Sequence, residues 1–158
     1  MPMRSNTCFF ALLLALSAGV EGADQPKHHH GEGSTLLQLD AGQRWKTDTA
    51  LRESMATLRV EFVNQHHVIY QGTASHDQYE ALATAIERTL DKVISQCQLE
   101  PSADAQLHII LGKLMGAAEK MRHLADRQQA NLGAMQAINA LNDYAQHFED
   151  PTFLPLHE

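Results

Sequence analysis

Ser75 to Cys97 reads SHDQYEALATAIERTLDKVISQC. Its apolar residues return at Tyr79, Leu82, Ile86, Leu90, Val93 and Cys97, in steps of three and four. At about 100° per residue such steps keep one face apolar, which is the period of a helix and not of a strand. Ser75 with Gln78 three places on is a capping-box pair, so the helix has a marked beginning. Cys97 lies in line with the stripe and is expected to face a core.

The same period appears on either side. Asp48 or Thr49 is a fitting cap for a first helix running to about Ile69, with Leu51, Met55, Leu58 and Phe62 on one face. The turn QGTAS (71–75) separates it from the second helix. The loop QLEPS (98–102) follows, where Pro101 breaks the chain and Ser102 is expected to cap a third helix. Leu107, Ile110, Leu111, Leu114, Ala118 and Met121 form that helix's apolar face. A polar stretch from Asp126 to Asn131 precedes a fourth, carried by Leu132, Met135, Ile138, Leu141, Ala145 and Phe148 until Pro151. Met115, Met121 and Met135 read most simply as core fillers. Long helices with short connections pack as antiparallel neighbours. The expected fold is therefore all-α, an antiparallel up-down-up-down four-helix bundle over residues 47–150.

Residues 1–22 read as a signal peptide. Arg4 gives a positive start, Cys8 to Val20 (CFFALLLALSAGV) is apolar, and small residues allow cleavage before Ala23. The expected location is periplasmic or secreted, with no membrane attachment after cleavage. Residues 23–46 form a polar arm containing His28, His29 and His30, with Trp45 placed to pin it beside the first helix. Residues 151–158 are left as a C-terminal tail. The chain has 158 residues and a formal charge of −7, with 19 acidic against 12 basic side chains. That excess speaks against nucleic acid as a partner, because phosphate contacts need clustered Lys and Arg. Cys8 leaves with the signal, so Cys97 remains alone and an internal disulfide is excluded; burial, metal ligation and a dimer link stay open for it.

Alternation of chain direction gathers Met55, Cys97, His108 and His147 at one end of the bundle. Sulfur and imidazole are the donors that copper-type metals prefer. The first expectation is a transition-metal-binding bundle, copper foremost, for sequestration or handover, with metal ions or metal-handling proteins as partners. His28, His29 and His30 add an auxiliary capture site. No CxxCH, CxxC, HExxH, Glu-x-x-His repeat or phosphate-binding glycine loop is present, and an enzyme is not expected. A cofactor-free structural or interaction module, with dimerisation open, is the other bland alternative.

The stretches KTDTALRESMATLR (46–59), QCQLEPSADAQLHIILGKLMGAAEKM (96–121) and YAQHFEDP (144–151) resemble a set of uncharacterised exported helical proteins of Gram-negative bacteria. That resemblance implies a periplasmic helical domain and supplies no activity. A histidine is expected just before the terminal proline in that pattern, and this chain has Asp150 there, which weakens any shared metal site. Met55 in LRESMATL and His147 in NDYAQHF are also similar to the haem-ligand positions of soluble cytochrome b562, with His108 opening the third helix as a nearby histidine does there. This second resemblance implies an electron carrier binding haem b through Met55 and His147.

Overall fold

The structure is a computed structural model that describes residues 36–123 and 126–156; the expected signal peptide and the histidine run fall outside them. The described residues form four helices: α1 (Thr49–Tyr70), α2 (His76–Gln96), α3 (Pro101–Met121) and α4 (Arg127–His147). No strand occurs among the described residues, only two isolated bridges. The described residues are all-helical in class, and no described helix is long and apolar enough to cross a membrane.

Cross-helix bonds fix the directions. Gln78 donates to Gln65 at 2.6 Å, and Lys92 faces Glu53, so α1 and α2 run antiparallel. Lys113 pairs with Asp143 at 2.6 Å, while Lys120 reaches Gln136, so α3 and α4 do the same. Tyr79 of α2 donates to Asn131 of α4 at 2.9 Å, which joins the starts of these two helices across the bundle. The result is the up-down-up-down order that the short loops favour.

The helix ends follow from local chemistry. Asp48 caps α1 by accepting from the Leu51 amide, and its second oxygen accepts from the Gln98 amide at 2.6 Å. One carboxylate thus ties the start of α1 to the loop after α2. The capping box at Ser75 and Gln78 is formed in both directions. Gly72 takes a positive φ of 65° in the turn between α1 and α2, a conformation that costs glycine least.

Three expectations about α3 and α4 are corrected. Ser102 does not cap α3: the cap position is Glu100, which makes no side-chain cap bond, and Pro101 opens the helix. Proline has no N–H to satisfy, so the first turn needs one donor fewer. The stretch 126–131 is not a connection throughout, because Asp126 accepts from the Gln128 and Gln129 amides and α4 begins at Arg127. Leu132 is not on the core face; it is 50% exposed. The buried face of α4 is instead Ala130, Gly133, Ala134, Ala137, Ile138, Ala140, Leu141, Tyr144 and Ala145. Small residues let α4 lie close against α3. A Cβ at Gly133 would sit 2.7 Å from the Ala117 carbonyl oxygen and 3.0 Å from the Met121 amide nitrogen.

Residues 151–156 of the expected tail pack onto the core. Phe153 and Leu156 are buried, and Phe153 meets Tyr144 edge-on with ring centroids 5.0 Å apart. Arg59 of α1 donates to the Leu154 carbonyl, while Asn142 of α4 makes two bonds to Leu156, at 3.0 and 2.8 Å. Residues 151–156 therefore strap α1 to α4. The strap is anchored by Asp150, only 4% exposed, which accepts from the Tyr144 hydroxyl at 3.0 Å and from the Thr152 amide and hydroxyl. Trp45 pins the incoming chain as expected. It packs on the core and bridges Phe148 through backbone bonds to His147 and Glu149, both 2.8 Å. Leu37 also docks, whereas Leu36 and Leu39 stay exposed.

Candidate functional site

Two places on the bundle gather candidate residues: the end where sulfur and imidazole are expected to meet, and the grooves between helices. At the first, Met55 is completely enclosed in the core. Cys97 is the residue after α2 and is half-buried, packed against the core edge and not within it. Burial, with the Asp48 carboxylate beside it, pushes the Cys97 thiol up to about 11. The group stays protonated at neutral pH, which makes it a weak nucleophile.

The two histidines diverge. Asp143 and His147 are four residues apart on α4, so they share the side on which Asp143 holds Lys113 of α3. His108 precedes Lys113 by five positions, which turns it about 140° around α3 at 100° per residue. Its side chain is 65% exposed, with Nδ1 2.9 Å from the Asp104 carbonyl and 3.4 Å from the Asp104 carboxylate. The His147 Nδ1 is likewise 2.8 Å from the Asp143 carbonyl. Each ring is held by its own helix. Cys97, His108 and His147 are not brought together: among the described residues no group of three or more His, Cys, Asp or Glu side chains is arranged to hold a metal ion. Of the pair expected for haem, Met55 is enclosed among core side chains and His147 is half-buried at the end of α4.

Tyr144 and Asp150 occupy this end as a structural pair. Burial and the Asp150 carboxylate push the Tyr144 hydroxyl well above its usual range, so it donates its proton and keeps it. At the other end, the His66 Nε2 is buried without a hydrogen-bond partner, and the ring leans on Tyr70 at 4.4 Å.

The groove between α2 and α3 is the more distinctive surface. Glu87, Leu90, Asp91 and Ile94 on α2 face Met115, Ala118, Glu119 and Arg122 on α3, enclosing about 530 Å³. Both sets follow the same i, i+3, i+4, i+7 spacing, so each helix presents one straight edge. Ile94 is 70% and Met115 61% exposed, while Leu90 and Ala118 form the floor. Met115 is thus no core filler. Met121 is, and Met135 is half-buried. Scattered exposed apolar residues are ordinary, but two long ones facing each other across an apolar floor form a continuous patch.

The rim is acidic. Arg122 is its one cation, and that guanidinium is claimed by Glu87 on the rim and by Glu80 two turns earlier on α2. Asp91 and Glu119 form no ion pair among the described residues. The reading of the sequence missed this site because it followed stripe centres. Ile94 adjoins Val93 and Met115 adjoins Leu114, each one residue past the core line. A paired apolar residue just outside the stripe was the available signal.

No family model, curated protein or solved structure matches the chain.

Proposed function

We propose that this chain is an exported helical interaction module that docks a protein partner in the groove between α2 and α3. The observation that carries this reading is the apposition of Ile94 and Met115, both exposed, over an apolar floor inside an acidic rim. Leaving such side chains in water forgoes about 1.5–3 kcal/mol for each one that a partner would bury. The core needs neither residue. A photo-crosslinking amino acid placed at Ile94 or Met115 in the cell that makes the protein is expected to give one discrete adduct. The same group at exposed Leu132, on α4, is expected to give none. Absence of an adduct at both groove positions ends this reading.

Metal capture stands as a second reading, favoured by one sequence observation, the run His28, His29 and His30. Neighbouring imidazoles bind copper, nickel or zinc without any help from the bundle. Copper retained stoichiometrically through dialysis, and lost when all three become alanine, is its expected signature. Loss in a His108→Ala/His147→Ala variant instead would restore the bundle end as the site. Metal-free protein after copper loading removes both.

A further inference from the structure

We infer that the occupant of the α2/α3 groove is an amphipathic helix of a partner protein whose apolar stripe is flanked by Lys or Arg. This rests on the groove being a docking surface and specifies what docks. Two parallel edges with i, i+3, i+4, i+7 spacing enclose a channel that a third helix fills with residues at that same spacing. From Glu87 to Ile94 the edge is about 10 Å long, two helical turns, so a short partner segment suffices.

Charge selects among occupants. Glu87, Asp91 and Glu119 stand along the edges, and the single Arg122 is already paired with carboxylates of its own chain. A second copy of this chain laid groove to groove would set these carboxylates against one another, and like charges across an interface are costly. An anionic lipid surface is repelled for the same reason. A stripe of Leu, Ile or Met bordered by Lys or Arg instead satisfies the apolar floor and the free carboxylates Asp91 and Glu119 together.

The test uses two synthetic helical peptides of about five turns, one built of Leu and Lys and the other of Leu and Glu, titrated into the full mature chain. A face variant, Ile94→Ser/Met115→Ser, changes only exposed side chains, and circular dichroism checks that its helices are intact. The Leu/Lys peptide is expected to bind saturably, about tenfold or more weaker to the face variant, and more weakly as salt screens the rim. The Leu/Glu peptide is expected not to bind. Equal binding of both peptides, or Leu/Lys binding unchanged by the face variant, overturns the inference. So does a concentration-dependent dimer in sedimentation that the face variant abolishes, which would make a second copy the occupant. An adduct at Ile94 in the cell without any Leu/Lys binding leaves the docking surface standing and rejects the basic helix alone.

Discussion

Gly133→Ala is expected to melt up to about 8 °C below the unaltered protein, a net loss of up to roughly 2 kcal/mol. The added methyl group meets backbone on two sides, the Ala117 carbonyl oxygen at 2.7 Å and the Met121 amide nitrogen at 3.0 Å. Backbone cannot rotate away as a side-chain tip does, so α4 has to back off from α3. Overpacking of this kind costs about 1–3 kcal/mol, against about 1 kcal/mol that alanine returns through its better helix propensity. Gly112→Ala on α3 provides the opposite sign. Nothing lies within 4 Å of its Cβ position, so only the propensity gain remains and stability should rise by up to about 1 kcal/mol. Urea denaturation followed by circular dichroism compares the two. Equal behaviour of both variants would mean that α3 and α4 are not in close contact at Gly133.

Asp150→Ala is expected to cost more, about 3 kcal/mol, and to loosen the end of the chain. The change strands the buried Tyr144 hydroxyl, worth about 1–3 kcal/mol by itself. It also removes both bonds that hold Thr152 at the start of the strap. Phe153 and Leu156 then lose their anchor, and each contributes about 1.5–3 kcal/mol when buried. Tyr144→Phe separates the two effects. It deletes one of three donors to the carboxylate but leaves the strap tied through Thr152, so a smaller loss of about 1–2 kcal/mol is expected. Limited proteolysis should cut after Phe148 readily in Asp150→Ala and slowly in Tyr144→Phe. Rapid cutting in the unaltered protein would show that the strap is not held as described.

The first three helices were legible because large apolar residues mark them. Tyr79 through Val93 fall on the buried face of α2, and the Ser75 box forms as its spacing requires. α4 was misplaced at its start because its inner face is written in alanine and Gly133, residues with little hydropathy whose value is the closeness they permit. The strap was illegible for another reason. Phe153 and Leu156 have no period to reveal them, and only the gap that they close between α1 and α4 explains their burial.

The proposed ligands show a different limit. Topology placed Met55, Cys97, His108 and His147 toward one end of the bundle, which helix order decides. Whether side chains meet depends on rotation about each helix axis. There Met55 points into the core, His108 folds onto Asp104, and the thiol of Cys97 sits beside Asp48. Ile94 and Met115 were passed over because a core-seeking reading takes apolar residues as interior by default.

Trp45 joins the backbone on either side of Phe148, and next to it Lys46 pairs with Glu149, 103 positions later in the chain. A chain emerging from the ribosome cannot make that junction until residue 149 has been synthesised. The helices can form early, but the entropy of closing so long a loop is repaid only at the end. Completion of the domain thus waits for the residues after its last helix, and the unfinished bundle stays open to whatever machinery handles it meanwhile.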